Sequence, residues 1–281
     1  MLDIVSILIH FYCFCLFFRI IFKDPSEMFF NPILRWIRNV TNPVILFLKQ
    51  NRIMNKEIHP IIPIIILLLL KVILFQSSKG HYLNIKFQDV MLAGIEFISF
   101  LFKSYFLMFW LLFSSYKYNF YDDMFNIMAT FFNRTLLFVP LARKNISVRN
   151  EPIQALSSVS FLFFIAFIVL ILGTETSLIL NIGASFLYVF STAFKLMGMG
   201  IVYLLNHLPF FMLIRILLSW FMPPMTRPLI ILFTITEPVF EPFRRLRLVV
   251  GMFDFSPIVA FFVVQLAVSY LSKFFMMFPS V

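Results

Sequence analysis

The sequence predicts an all-α polytopic membrane protein, and three observations support this prediction. Of its 281 residues, 61% are hydrophobic, 41 are phenylalanine and only 13% are charged. Mean hydropathy is +0.95, so a single water-soluble globule could not bury the apolar surface. The apolar residues fall in runs of about 18 or more, the length that a helix needs to cross a bilayer. The polar segments between these runs are too short to hold a folded extramembrane domain.

Six spanning helices follow from these runs, because a helix satisfies its own backbone hydrogen bonds in hydrocarbon. Residues 4–22 lack the small residues of a signal-peptide cleavage site and are predicted to form the first span. The longest run, 178–222, contains no polar turn. Pro209 is expected to kink it, which leaves 200–222 as the span and 178–197 along the membrane. Seven spans are the alternative. The six predicted spans are 4–22, 60–76, 90–113, 153–173, 200–222 and 257–278.

Basic residues predict the orientation in the membrane. Of the 23 lysines and arginines, six, five and four lie in the segments that follow the first, third and fifth spans. Only Lys79 and Lys86 lie in segments on the opposite side. Since cytoplasmic segments are enriched in Lys and Arg, we expect these basic segments to be cytoplasmic in a multi-pass protein of the inner (plasma) membrane. The net charge of +10 indicates attraction to anionic lipids of the bilayer and not binding of nucleic acid.

An internal repeat divides the chain. Its order is a basic residue near the end of a span, a Thr-x-Pro tripeptide, further basic residues and a proline that opens the next span. This order is found at Arg215, 236–238 and Pro257, and again at Arg19, 41–43 and Pro60. A weaker copy lies between the two. The sequence therefore predicts three tandem two-span units, at 1–80, 88–175 and 178–281, each with a proline-broken interfacial segment. We call them the first, middle and third units.

The same residues carry a family resemblance. The stretches IRILLSWF, LFTITEPVFEPFRRL and FDFSPIVAFFVVQL resemble the pattern of the YggT family of small integral membrane proteins. The resemblance is strongest in 213–268, clear in 8–70 through NPILRWIRNVTNP, and weak in the middle. The first copy departs from the family pattern at Asn42, which replaces a glutamate, and at Phe47, which replaces a proline. Whatever depends on the full pattern is therefore expected to reside in the third unit.

The family resemblance implies roles but no enzyme activity. It implies bacterial inner-membrane proteins and chloroplast relatives, which have been linked to osmotic tolerance, cell division and envelope shape. In plastids it implies haem attachment during cytochrome maturation, or nucleoid organisation. We therefore expect a non-enzymatic structural, scaffolding or assembly factor with a membrane-protein partner. A solute or ion pathway is the alternative, and a haem or cytochrome assembly factor is the second alternative.

A charged patch in the third unit is the candidate functional site. Glu237 and Glu241 are four residues apart and precede a run of arginines, with Glu241 placed to reach Arg244 or Arg245 on a helix. This pattern fits a solvated ion-pair cluster or a patch that docks a protein or lipid headgroup. A catalytic pair is disfavoured, because no nucleophile and no metal-ligand spacing accompany the carboxylates. The patch comprises Arg215, Thr236, Glu237, Pro238, Glu241, Pro242, Arg244, Arg245, Arg247 and Asp254, and its equivalents in the first unit are Arg19, Arg35, Arg38, Thr41 and Pro43.

Several of these residues have a specific predicted role. Arg19 and Arg215 are expected either to snorkel to the interface or to turn inward and pair with the interfacial segment, as with Glu237. Asp254, with Ser256, is expected to cap the last helix and place its charge at the positive end of the helix dipole. Pro43 is expected to bend or end the first interfacial helix, on which Ile33, Ile37, Val40 and Val44 form the apolar side.

Polar side chains within the predicted spans are the remaining candidates. Glu96, Lys103, Lys71 and Lys195 could line a polar path or pair inside the helix bundle. His10 and His207 could hold haem or form hydrogen-bonded helix contacts. Cys13 and Cys15 are predicted to be buried free thiols, because a Cys-x-Cys spacing suits neither a redox pair nor a zinc site. The sequence predicts no catalytic, metal-binding or cofactor-binding residue.

Overall fold

A computed structural model describes residues 2–22, 31–50, 60–78, 86–118, 123–136, 147–174, 182–221, 226–246, 249–250, 253–254 and 256–279. Nine helices and one pair of short strands lie within these ranges. In chain order they are α1 (Leu2–Ile21), α2 (Pro32–Gln50), α3 (Ile61–Ser78), α4 (Phe87–Tyr118), α5 (Asp123–Leu136), α6 (Pro152–Thr174), α7 (Ile182–Phe221), α8 (Arg227–Arg244), β1 (Val249–Val250), β2 (Phe253–Asp254) and α9 (Ser256–Met276).

Long apolar helices confirm the predicted all-α polytopic membrane protein. The helices α1, α4, α6, α7 and α9 are long and apolar enough to cross a membrane. The second predicted span forms α3, a shorter apolar helix. The two strands are a local feature between α8 and α9, pairing Val249 with Asp254 and Val250 with Phe253 in antiparallel register. The chain order of long helix, amphipathic helix and long helix occurs three times, and the division into three units stays a prediction.

The helix α7 differs from its prediction. It runs unbroken through Pro209 for 40 residues, about 60 Å at 1.5 Å per residue. No chain reversal divides this helix, so a seventh span within 182–221 is wrong. The division into an extension at 178–197 and a span at 200–222 stays a prediction. A proline removes one backbone donor from a helix. The apolar side chains on both sides of Pro209 offer no polar turn at which the chain could reverse, so the helix continues.

The amphipathic helices also continue through their prolines. Pro43 lies inside α2, and Pro238 and Pro242 lie inside α8. An end of either helix at these prolines is therefore wrong, and a bend there stays a prediction. The apolar face of α2 is also rotated from its prediction, because Leu34, Ile37, Thr41 and Leu48 are buried whereas Ile33 is 38% exposed. These buried positions follow the three-to-four residue spacing of one helix face.

Helix α4 lies at the centre of the bundle. It contacts α6, α7, α3, α8, α5 and α1. The middle amphipathic helix α5 inserts phenylalanine between α1 and α4: Phe131 is fully buried, its ring lies 3.9 Å from that of Phe18 in a stacked arrangement and 5.3 Å from the ring of Tyr105. Burial of such rings is a large source of packing energy in cores. The middle unit therefore occupies the interior of the assembly of helices.

A glycine allows α7 and α9 to approach closely. A Cβ atom at Gly198 would lie 2.0 Å from a ring carbon of Phe275, and Lys195 Nζ donates a 2.7 Å hydrogen bond to the carbonyl of Phe278 nearby. We expect Gly198→Ala to displace this ring and destabilise the protein by about 1–3 kcal/mol, the usual result of overpacking. Thermal unfolding in detergent measures this change.

A second glycine supplies the control for this substitution. A Cβ at Gly94 would lie 3.2 Å from a methyl carbon at the end of Leu170, which can move at low cost. Alanine is also the better helix former by about 1 kcal/mol. Gly94→Ala is therefore expected to leave stability unchanged or to raise it. Equal destabilisation by both substitutions would show that the contact with Phe275 has no special weight.

Candidate functional site

The side chain of Arg215 ties α7 to α8. Its guanidinium donates to Thr236 Oγ1 at 2.7 Å and to Glu237 Oε2 at 2.5 Å. The rings of Phe233 and Phe240 flank it, with centroids 3.7 and 4.8 Å from Cζ, a geometry that favours a cation. Only 4% of the residue is exposed. Arg215 therefore turns inward and pairs with Glu237 instead of snorkelling. We call Arg215, Thr236 and Glu237 the arginine clamp.

The acceptors of the clamp are themselves held in place. The hydroxyl of Thr236, which is fully buried, donates to the carbonyl of Leu232 at 2.7 Å while accepting from Arg215. Glu237 also accepts from Arg244 Nη1 at 2.6 Å. One carboxylate therefore joins an arginine of α7 to an arginine two turns further along α8. Charge-assisted bonds of this kind are the stronger class of protein hydrogen bond.

Glu241 connects α8 to the end of α4. Its carboxylate forms a salt bridge with Lys117, accepts from Tyr118 Oη at 2.7 Å, and accepts from Arg245 Nη2 at 2.7 Å. These donors, Lys117 first, lower the pKa of the Glu241 carboxyl from 4.5 to about 2. The predicted pairing with Arg245 is present. The two partners on α4 lie more than 120 residues away along the chain.

This lowered pKa predicts a pH dependence. A carboxyl whose pKa is lower in the folded state adds stability above its unfolded pKa, and this contribution declines as the pH falls towards the folded pKa. We therefore expect wild type to exceed Glu241→Gln in thermal midpoint at neutral pH, and the difference to shrink below about pH 4.5 towards pH 2. Unfolding of both proteins in detergent over this range measures it. A difference that does not vary with pH would contradict the pairing.

An aromatic side chain donates a hydrogen bond to the backbone carbonyl just before each Thr-x-Pro tripeptide. Trp110 Nε1 on α4 donates to the carbonyl of Ile235 at 2.8 Å, immediately before Thr236. In the first unit, Tyr12 Oη on α1 donates to the carbonyl of Val40 at 3.0 Å, immediately before Thr41. Each of these bonds gives a helical carbonyl a second donor from a neighbouring helix. They fix α2 against α1 and α8 against α4 beside the tripeptides.

The first unit contains a neutral version of the clamp. Arg19 Nη1 donates to Thr41 Oγ1 at 3.1 Å and to Asn42 Oδ1 at 2.7 Å. The inward alternative therefore holds for Arg19 as well. Because Asn42 takes the position of Glu237, this arginine binds an amide oxygen where Arg215 binds a carboxylate. The geometry is shared, and the charge balance differs.

Residues 194–275 match the model of the CCB3/YggT family. The C-terminal part of the chain is of the YggT type. The matched segment includes Arg215 on α7, all of α8 with its clamp residues, and most of α9. The search found no match among curated proteins and none among solved structures.

Some predicted patch residues lie outside the YggT-type clamp. Pro242 and Arg245 are exposed on α8, and Pro238 is half-buried there. Arg247 lies outside the described residues, as does the side chain of Asp254, so its predicted capping of α9 stays a prediction. In the first unit Arg35 and Pro43 lie on the exposed face of α2, whereas Arg38 is half-buried.

The middle unit holds its amphipathic helix differently from the YggT-type part. When Ser115-Tyr116 is matched to Ser219-Trp220, Leu111 of α4 takes the position of Arg215. The helix α5 instead carries Arg134, which donates to the carbonyl of Ile21 at 3.4 Å and faces the ring of Phe22 at 5.0 Å. This contact joins α5 to the end of α1. The middle unit therefore contributes partners to both of its neighbours.

Three of the four charges predicted inside spans, Lys71, Glu96 and Lys195, have hydrogen-bonding or ion-pair partners, whereas Lys103 lies over the ring of Tyr203. Lys71, which is 3% exposed, forms a salt bridge with Glu96 and donates to His10 Nε2 at 3.0 Å. This trio joins α3, α4 and α1, as the interpretation of paired charges in the bundle expects. Lys195 Nζ donates a hydrogen bond to the carbonyl of Phe278 at 2.7 Å. The spacing of Glu96 gave no indication of Lys71, because the two lie on different helices.

Histidine positions bear on the haem hypothesis. His10 is engaged by Lys71, and His207 Nδ1 donates to the carbonyl of Tyr203 at 2.7 Å within its own helix. Within the described residues, no group of three or more His, Cys, Asp or Glu side chains could hold a metal ion. Cys13 and Cys15 are buried free thiols. Both histidines therefore contact a protein group, and the haem hypothesis stays untested.

Proposed function

We propose that this protein is a non-enzymatic scaffolding or assembly factor of the YggT type, which presents α8 to a membrane-protein partner. The observation that carries the proposal is the arginine clamp. The charged residues of the motif fix α8 against α7, because Arg215 of α7 donates hydrogen bonds to Thr236 and Glu237 of α8. Glu241 adds a second attachment through Lys117 and Tyr118 of α4. A helix fixed at two points offers a preorganised surface, which lowers the entropic cost of binding.

The membrane arrangement is part of the proposal. The three amphipathic helices α2, α5 and α8 each follow an odd-numbered predicted span, so they share one side of the membrane in a six-span topology. That side carries most of the basic residues between spans. By the positive-inside rule it faces the cytoplasm of a multi-pass protein in the inner membrane. Three two-span units in tandem account for this spacing.

The exposed C-terminal end of α8 and the turn after it are the proposed docking surface, defined by Pro242, Arg245 and Leu246. Pro242 is exposed, the side chain of Arg245 is 77% exposed, and Leu246 is 60% exposed. Arginine beside exposed apolar side chains is the composition that interface centres favour. Division, osmotic tolerance and complex assembly are the processes in which such a partner is to be sought.

In vivo photocrosslinking tests this function. A photoreactive amino acid placed at Pro242, Arg245 or Leu246 of the full chain is expected to capture one defined membrane protein. The matched control is the same amino acid at Arg149 or Glu151, which are exposed just before α6. Capture of lipid alone at all three α8 positions, or the same captured protein at the control positions, would overturn the proposal.

A solute or ion pathway is the second candidate, favoured by one observation. A cavity of about 520 Å³ is lined by His10, Glu96 and Lys103, polar side chains on candidate spanning helices. Transport proteins place such residues beside substrate routes. Flux into liposomes that contain the purified full chain tests this candidate. Solute-dependent flux that Glu96→Gln abolishes would favour the pathway over the scaffold.

A further inference from the structure

A large cavity between α4, α7 and α9 lies apart from the arginine clamp. Its volume is about 910 Å³, within the range of ligand pockets. Polar side chains reach it at helical spacing: Gln265, Ser269 and Lys273 on α9, and Asn206 on α7. Lys103 reaches it from α4. The polar faces of three apolar helices therefore converge on one space.

These polar side chains are not used by the fold. Among the described residues, no hydrogen bond to protein involves the side chain of Asn206, Gln265 or Ser269, although each lies on a candidate spanning helix. Polar residues in spanning segments usually pair with one another or face a cavity that serves function. Asn206, Gln265 and Ser269 all face the cavity. The cavity wall offers hydroxyl and amide groups that a ligand could bind.

The charge of the cavity is positive. Lys103 and Lys273 line it, and none of its lining residues is acidic. Lys103 lies over the ring of Tyr203 at 4.5 Å, and Lys273 lies 6.0 Å from that of Tyr270. Within the described part of the chain, no carboxylate pairs with either lysine, since Glu96 is bound to Lys71. Lys103 is half-buried near the middle of α4, whereas Lys273 is exposed in the last turn of α9. An uncompensated ammonium group in the position of Lys103 is costly, so an anion would lower the free energy of this site.

The depth and the apolar lining narrow the class of ligand. Lys103 lies 16 residues from the start and 15 from the end of α4, so about 23 Å of helix extends on each side of it. Val202 and Val268 line the same cavity beside the lysines. A free inorganic anion would fill only a small part of this volume and would leave the apolar wall unused. A molecule with an anionic head and a hydrocarbon chain would pair with the lysines and also fill the volume beside the apolar wall.

We propose that the cavity between α4, α7 and α9 is a binding site for one anionic phospholipid. The phosphate accepts from Lys103 and Lys273, with Ser269 and Asn206 as further donors. An acyl chain lies along Val202 and Val268. A phosphate diester suits this set because its oxygens can accept several hydrogen bonds at once. The site is independent of the docking surface on α8, and it goes beyond the general attraction of basic segments to anionic lipid.

Lipid binding by the full chain in dodecylmaltoside micelles tests the site. We expect native mass spectrometry to show one phosphatidylglycerol retained in preference to phosphatidylcholine, and the thermal midpoint to rise with phosphatidylglycerol. Lys103→Met and Lys273→Met should each weaken retention about tenfold, the effect of losing one charged hydrogen-bond donor. Lys103→Arg should keep it.

Lys195→Met is the matched control. It removes the same charge from α7, but Lys195 binds the carbonyl of Phe278 and does not line the cavity. Its retention of phosphatidylglycerol should equal that of wild type. Equal retention of the two lipids, an unchanged affinity in both Lys103→Met and Lys273→Met, or displacement of the lipid by inorganic phosphate alone would each overturn the proposal. If Lys103→Met fails to fold, Lys273→Met near the end of α9 decides the result. None of these outcomes depends on what the α8 crosslinks capture.

Discussion

Arg215→Ala is expected to destabilise the protein by about 3 kcal/mol, because it removes the buried partner of a buried carboxylate. The substitution deletes the hydrogen bonds to Thr236 and Glu237 and the stacking between Phe233 and Phe240. Arg244 continues to neutralise part of the charge on Glu237, which keeps the loss below the upper end for broken buried pairs. Unfolding by SDS titration in mixed micelles measures the stability. Faster proteolysis of α8 would show that the helix has detached.

Arg245→Ala provides the matched control for this expectation. Its side chain is 77% exposed and pairs with Glu241 four residues earlier on the same helix. Exposed pairs of this kind contribute about 0.3–0.5 kcal/mol. Near-equal losses for Arg215→Ala and Arg245→Ala would show that the clamp carries no special share of the stability. Arg19→Ala should fall between them, because its partner Asn42 is neutral.

Glu96→Gln is expected to destabilise the bundle by about 3–5 kcal/mol, since it leaves the Lys71 ammonium without its carboxylate. The side chain of Lys71 is 4% exposed, and its remaining partner is the neutral acceptor Nε2 of His10. The loss should appear as a lower SDS midpoint in mixed micelles. Lys71→Met alone should cost less, because the side chain of Glu96 is 59% exposed and can reach polar surroundings.

The double variant Lys71→Met, Glu96→Gln separates pairing from packing. Lys71 is the buried member of this pair and Glu96 the exposed one. Replacing both members of an ion pair with neutral groups of similar size is often close to neutral, because no uncompensated charge is left buried. We therefore expect the double variant to recover most of the stability that Glu96→Gln loses. Additive losses in the double variant would contradict an ion pair between these two side chains. Recovery by Lys71→Met would also show that the ammonium group, and not the shape of Glu96, causes the defect.

Local pattern was sufficient for much of the fold. Apolar runs located the spans, because a helix in hydrocarbon must consist of apolar residues over its whole length. The repeated order of arginine and Thr-x-Pro pointed to Arg19 and Arg215 as equivalent, and both make the same contacts with the following tripeptide. Whether each arginine snorkels or turns inward could not be decided from spacing. That choice depends on the side chains that meet it in three dimensions.

Contacts between distant segments escaped prediction for the same reason. The contacts of α8 with Trp110, Lys117 and Tyr118 join residues more than 120 positions apart in the chain. No periodicity in the sequence predicts contacts at such a separation. The prolines gave a misleading signal as well. They were expected to bend or end the helices, but α2 and α8 both continue past them. A proline removes one backbone donor, and the packing of the helix against its neighbours can outweigh that loss.

The position of Trp110, Lys117 and Tyr118 in the chain has a consequence for truncated forms of the protein. They all come from α4, upstream of the family-matched segment 194–275, although the clamp lies inside that segment. A fragment that begins at residue 178 would keep every motif residue of the third unit and lose three of the side chains that hold α8 in position. The weakest copy of the motif thus supports the strongest one. Deletion mapping should therefore find that the smallest fragment with a correctly placed α8 begins upstream of α4.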